Sequence, residues 1–401
     1  MFHYLFHSDR ERDGICEMRL QIGCSNMSSL LIFSLFVLLL QSDFTQRSII
    51  LAQREPSYEI LKQYQNFEIK VVAKPGKPKK GSDITLSCII PRLPDTVSLR
   101  WKPRDSSQQN RRNTDQIRLN NTVYLIIRHV TVEDEKMYEC EVRVNGTIVR
   151  TRKSDFTVNT GPYREPTRFY RSVTDHSEFH LICYNSNEVY NNAIWSWTSI
   201  FNQSLKKQIA TALKSQPVND VDSHFVNRLK LTKTPFNGWN FSMRVFPVVF
   251  EDAGDYSCTL DQKSFQTMKL TTVKVTAEPS DTVTVGDNVT LNCSVSDVTT
   301  STRLVWINGD GETVGDKTLS GKEKSLSLII QKADRGRGKW TCVVFDQDWL
   351  RLSLPYSLEV RVRSLPDSWI TTIAVYLFVK LAVGLGFSYS LTRKNRRIQL
   401  K

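Results

Sequence analysis

Histidine is scarce in this chain, with six among 401 residues, at His3, His7, His129, His176, His180 and His224. None of them stands at metal-ligand spacing from a cysteine or a carboxylate, so no zinc centre is expected. Glycine is also thin at 17 residues, and no glycine-rich phosphate-cradling loop occurs; the GxG at Gly384 lies inside an apolar run. No catalytic residue, cofactor or metal site is therefore expected, and the chain reads as a binding protein rather than an enzyme. Long apolar runs are few, and only two stand out. Cysteine is limited to eight residues, which makes its spacing informative.

The first apolar run is LLIFSLFVLLL, residues 30–40. It is too short to span a bilayer and has the length of a signal-peptide core, so export is expected. Either Met18, with Arg19 supplying positive charge, or Met27 serves as the start, and cleavage is expected after Ser42 although Leu40 is bulky for its position. Residues 1–42 are then leader and 43–65 have no assignment. Cys16 and Cys24 fall in the leader, and six cysteines enter an oxidising compartment. Nucleic acid is the wrong partner for that compartment.

The second run, residues 369–391, has one formal charge and as a helix covers roughly 35 Å, enough to cross a bilayer. Arg393, Lys394, Arg396, Arg397 and Lys401 follow it and place the tail, residues 392–401, in the cytosol. The N-terminal bulk is then extracellular. The single charge, Lys380, sits at the centre of the span, where an unpaired cation costs ~2.5–3.5 kcal/mol. Steps of four give Thr372, Tyr376, Lys380, Gly384 and Ser388, one polar or small stripe on an otherwise apolar rod. An acidic partner helix is expected against Lys380, Tyr376 and Gly384. The tail contains no tyrosine, so signalling is expected to pass to that partner.

The six remaining cysteines fall in three repeated contexts. Cys88 in DITLSC precedes Trp101 in LRW and Cys140 in DEKMYEC; Cys183 in FHLIC precedes Trp195, Trp197 and Cys258 in EDAGDYSC; Cys293 in VTLNC precedes Trp306 in LVW and Cys342 in GKWTC. In each unit an alternating strand turns the first cysteine inward, a second brings a tryptophan over the core, and a third returns the second cysteine. Over about 300 residues the pattern resembles the immunoglobulin superfamily. The resemblance implies an all-β fold of three tandem β-sandwiches followed by one transmembrane helix. It also implies intradomain disulfides Cys88 with Cys140, Cys183 with Cys258 and Cys293 with Cys342. Tyr138 and Tyr256, each two before a cysteine, match the tyrosine corner, whereas Trp340 stands at that place in the third unit, as in some T-cell coreceptor domains.

The longest cysteine interval, in the second unit, leaves room for the extra strands of a variable-type domain; the other two read as constant or intermediate types. Domains are expected at 66–160, 161–277 and 278–363. The joints TGPYREP (160–166) and AEPS (277–280) are short and contain proline, so a semi-rigid rod is expected, with the two distal domains meeting ligand and the third as stalk. Asparagine-glycosylation triplets begin at Asn120, Asn145, Asn202, Asn240, Asn288 and Asn292. Net charge is +13, with basic clusters at 74–81, 100–112 and 150–153 that read as ordinary solvated charge rather than as a docking face.

The combination of an immunoglobulin-like ectodomain, a basic intramembrane residue and a minimal tail resembles activating leukocyte receptors, whose adaptors carry an acidic transmembrane residue. The expected function is a single-pass plasma-membrane receptor binding a protein or glycan ligand. A cell–cell adhesion molecule without intrinsic signalling is the alternative.

Overall fold

The computed structural model describes residues 68–398 except 95, 105–113, 162–164, 186, 205, 220–221, 232–234 and 363–366. The leader, its apolar run and residues 43–65 lie outside the described residues. The first sandwich comprises β1 (Lys70–Lys74), β2 (Ile84–Ile89), β3 (Val97–Pro103), β4 (Thr114–Leu119), β5 (Thr122–Ile127), β6 (Tyr138–Val144) and β7 (Thr147–Lys153). Its sheets run β1-β2-β5-β4 and β3-β6-β7, the seven-strand arrangement of constant-type immunoglobulin domains. Alternation directs the faces: Ile84, Leu86 and Cys88 enter the core, while Thr85 and Ser87 point out of it. Asn145 and Gly146 close the β6–β7 hairpin, both at positive φ (48° and 85°), as a type I′ turn requires.

The second sandwich has β8 (Thr167–Ser172), β9 (Phe179–Leu181), β10 (Asn192–Ser199), β11 (Lys206–Leu213), β12 (Val218–Asn219), β13 (Leu229–Leu231), β14 (Met243–Val245), β15 (Gly254–Leu260) and β16 (Lys263–Glu278). One sheet runs β12-β11-β10-β15-β16 with β8 parallel to β16, and the other β13-β14-β9. The additional strands β11 and β12 occupy the long cysteine interval, as in variable-type domains.

Strand β16 does not end with the second domain. Residues 268–273 pair with β8, and residues 273–278 pair with β18 (Val289–Val295) of the third domain. The expected joint at 277–280 is therefore entered on a strand that both domains hold. The third sandwich adds β17 (Thr282–Thr284), β19 (Arg303–Asn308), β20 (Thr313–Thr318), β21 (Ser325–Ile330), β22 (Lys339–Asp346), β23 (Trp349–Ser357) and β24 (Glu359–Arg361). Its sheets are β20-β19-β22-β23 and β16-β18-β21, with β17 beside β24.

The sandwiches are not strung out as the expected rod. The outer face of β4 and β5 lies on the outer face of β19, β22 and β23, and the two faces share an apolar cluster. Leu119 and Ile126 of the first domain meet Val305, Ile307, Val343, Phe345 and Leu350 of the third. The Tyr124 and Phe345 rings meet edge-on at 5.9 Å, and Lys74, from the first basic cluster, lies 5.8 Å over the Trp349 ring. Helix α1 (Asp367–Ile398) follows, longer than the expected 369–391.

Candidate functional site

Each core is built on one disulfide and one tryptophan. Cys88 is bonded to Cys140, Cys183 to Cys258 and Cys293 to Cys342, at Cα separations of 6.3, 6.1 and 6.3 Å. The indole N–H groups donate across the core: Trp101 to Val123 O at 3.0 Å, Trp195 to Phe241 O at 2.8 Å and Trp306 to Leu326 O at 3.1 Å. In the second domain the Tyr256 hydroxyl donates to Asp252 O at 2.6 Å, closing a tyrosine corner. The buried Asp252 carboxylate is held by Arg228 at 2.6 and 2.9 Å. In the third domain the Trp340 indole N–H is buried without an acceptor among the described residues, so it does not take the place of the corner hydroxyl.

These frames bring the first two domains together around a cleft of about 870 Å³. Arg171 on β8, 4 % exposed, reaches the Asp83 carboxylate through both terminal nitrogens, at 2.5 and 3.2 Å, and donates to Glu178 O at 2.8 Å. Burial pushes the Asp83 carboxyl up, and the Arg171 charge and hydrogen bonds more than offset it, holding the group below its usual range. Beside this pair the His129 and His180 rings lie 4.5 Å apart. Burial, then the neighbouring His180, lowers His129 to about 4. Gly81 lies against the second domain: its φ is +84°, and a Cβ there would stand 2.2 Å from Ile182 Cδ1.

Loops on the second domain form the outer wall. The N–H groups of Asn185 and Tyr190 donate to Trp239 O and Gly238 O, and that of Ser215 to Phe236 O. Tyr184 pairs directly with Asn240 in an antiparallel bridge. Both line the cleft, with Gln266, His180 and Lys80. Val189, Leu213 and Trp239 do not line the cleft and are each nearly half exposed. The β15–β16 turn is only Asp261 and Gln262, both at positive φ.

The second and third domains meet through charge and hydroxyl contacts. The Tyr170 hydroxyl donates to Asp346 Oδ2 at 2.9 Å, and Arg168 and Lys269 reach Asp297 at 2.7 and 3.0 Å. Burial pushes Asp346 up, but donors on Thr299, Ser301 and Tyr170 hold its carboxyl below the usual range.

Among the glycosylation triplets, Asn120, Asn145, Asn202 and Asn288 are exposed, whereas Asn240 and Asn292 are half-buried. Asn292 accepts from the Ser327 hydroxyl at 3.3 Å. On α1, the stretch Ile370–Ser390 is long and apolar enough to cross a membrane, with mean hydropathy 1.9. Lys380 is its central residue and is exposed, with its ammonium 5.5 Å from the Tyr376 ring centre one turn away. The Ser388 hydroxyl folds back onto Gly384 O at 3.1 Å. Among the described residues no group of three or more His, Cys, Asp or Glu side chains is placed to hold a metal.

Residues 69–143 and residues 279–348 each match a sequence profile described as an immunoglobulin domain. This is an immunoglobulin-domain protein. The chain is similar to a CD276 antigen homolog of Xenopus laevis, at 24 % identity over 140 residues that cover 30 % of this chain and 44 % of that protein. Less than half of the relative's length is thus spanned. Among solved structures, a three-domain titin fragment aligns at 16 % identity over 74 % of this chain and 98 % of its own, with a TM-score of 0.21. A second titin tandem aligns at 14 % over 74 % and 100 %, with a TM-score of 0.19.

Sequence reasoning on this immunoglobulin-domain protein missed the residues that dock the first domain on the third. A signal was present. VYLII (123–127) and VVF (343–345) are continuous apolar runs where a one-sided strand would alternate, and strands buried on both faces read that way.

Proposed function

We propose that this protein is a single-pass cell-surface receptor that meets a protein or glycan ligand through its first two domains. It signals through an adaptor whose acidic transmembrane residue pairs with Lys380. The reading rests on one observation, the ammonium at the centre of an apolar span of membrane-crossing length. Leaving it unpaired would cost ~2.5–3.5 kcal/mol, and intramembrane charges are paired as a rule. Tyr376 supports the same face, because its ring lies beside the ammonium and its hydroxyl adds a donor for a carboxylate. The ligand is met where Val189 and Trp239 emerge from loops tied to one another and Leu213 ends β11, since exposed apolar side chains mark interaction sites.

The rival is an adhesion protein that bridges cells and has no adaptor. Isolation of the full chain in mild detergent separates the two. A receptor of this kind co-isolates a small membrane protein with an Asp or Glu in its apolar helix, and an adhesion protein co-isolates none.

A further inference from the structure

The cleft between the first two domains contains, in its wall, an attachment point for its own ligand. Asn240 begins the triplet Asn240, Phe241, Ser242, and it lines the cleft rather than the open surface. Its Oδ1 accepts from the Ser242 N–H at 3.0 Å, while its Nδ2, the atom that would carry a sugar, donates to no described residue. The other acceptors differ. Asn120 and Asn145 stand on exposed hairpin turns with φ of 50° and 48°, where a glycan projects into water.

What surrounds Asn240 suits a sugar. Tyr184 is its direct cross-strand partner, which puts the two Cβ atoms at about 4.5–5.5 Å with both side chains on one face of the bridge. The Tyr184 ring is 55 % exposed and offers an aromatic face to the C–H side of a pyranose. Gln266, 5 % exposed, also lines the cleft, and its Nε2 is buried with no acceptor among the described residues. An unsatisfied buried donor costs about 1–3 kcal/mol, which a sugar hydroxyl or acetamide carbonyl could relieve. The first-domain side of the cleft contributes Lys80 and His129. At about 870 Å³ the space is at the upper end of the ~300–1,000 Å³ typical of small-molecule sites. A sugar tethered to Asn240 is present there at an effective concentration on the order of mM, ahead of any free ligand of ordinary affinity.

We propose that the N-linked glycan on Asn240 folds back into this cleft, with its first sugar residues against Tyr184 and Gln266, and bridges the first domain to the second. The inference rests on the ectodomain passing through the secretory pathway. The cleft is then an intramolecular joint and leaves Val189, Leu213 and Trp239, which do not line it, as the open surface.

The test uses the full chain purified from a glycosylating eukaryotic host. Each acceptor is mapped by mass spectrometry after peptide-N-glycosidase treatment of the folded protein, and again after reduction and denaturation. Asn240 is expected to be modified and to release its glycan at least tenfold more slowly than Asn120 and Asn145, the difference vanishing on denaturation. A bare Asn240, or release at the rate of the hairpin-turn sites, overturns the inference. Modified Asn120 and Asn145 with a bare Asn240 reject the cleft glycan alone. A chain bare at all three sites rejects the secretory reading as well.

Discussion

The Thr85 hydroxyl donates a 2.5 Å hydrogen bond to the carbonyl oxygen of Leu350, joining the first domain to the third across 265 residues of chain. Thr85 faces away from its own core, and in a rod that hydroxyl would meet water. Here it lies at the edge of the apolar cluster formed by Ile126, Val305, Val343 and Phe345. The third domain's β20-β19-β22-β23 sheet is thereby covered, and partners are left with the second domain and the remaining faces of the first.

Replacing Phe345 by Asp should separate these two domains without unfolding either. Phe345 is buried in the inter-domain cluster, while Trp306 and Cys342 belong to the third domain's own core. Burying an unpaired carboxylate there is far more costly than exposing the apolar face. Small-angle scattering should show a larger radius of gyration, with the three disulfides and far-ultraviolet dichroism retained. An unchanged radius would mean that the contact does not hold the domains together.

Arg171→Ala should weaken the junction of the first and second domains. The guanidinium is buried, and its loss leaves Asp83 without its cation, a change that costs about 3–5 kcal/mol for a buried pair. A lowered midpoint in denaturant is expected, with Asp83→Asn giving a smaller loss because the isosteric amide keeps an acceptor oxygen for the guanidinium. Equal stability of Arg171→Ala and the parent would show that the pair contributes nothing.

Acidification should loosen the same junction through His129. Its folded pKa is lowered from the usual 6.5 to about 4, so between these values the unfolded chain binds more protons than the folded one. Stability is full above pH 6.5 and falls as the pH drops towards 4. The ring faces His180, Asp83, Arg171 and Glu178; burial pushes Glu178 up, but His180 and Arg244 hold it low, as Arg171 does Asp83. Those carboxylates stay charged through the upper part of the window, and their own contribution begins to fall near its lower end. Thermal melts at pH 7 and 5 should differ by more in the parent than in His129→Gln. Identical shifts in both would assign the acid sensitivity elsewhere.

The three sandwiches were legible because each carries a cysteine, a tryptophan and a second cysteine in the same order, and Cys183, Trp195 and Cys258 can face one another in few other ways. The continuous strand β16 was harder to see. From Lys263 to Glu278 the chain has no glycine or proline, so nothing breaks the strand, and the AEPS turn comes only after the third domain has begun to pair. Docking between sandwiches was legible only as missing alternation in β5 and β22, a signal shared with any well-packed strand. The asparagine triplets were read from sequence as one set of acceptors on the exported part of the chain. Asn240 becomes distinct only when Tyr184, more than fifty residues earlier, is brought opposite it.

Trp239→Ala tests the ligand surface. A tryptophan about half exposed beside Val189 and Leu213 has the character of an interface anchor, and truncating such anchors typically costs 2 kcal/mol or more. Binding of cells bearing the ligand should fall by at least about tenfold, with folding unchanged because the Trp239 main-chain contacts to Asn185 and Asn237 do not involve the indole. Undiminished binding would move the ligand site to another face.

The most direct measurement is adaptor association of Lys380→Leu beside the parent and Gly384→Ile, each at matched surface level. Removing the charge makes the helix more lipid-soluble, so surface delivery and ectodomain disulfides should be retained while co-isolation of the acidic partner and signalling are lost. Gly384→Ile keeps the ammonium but adds bulk one turn away on the same face, and should weaken association without affecting insertion. Lys380→Leu reaching the surface, retaining the partner and signalling as the parent does would contradict the account.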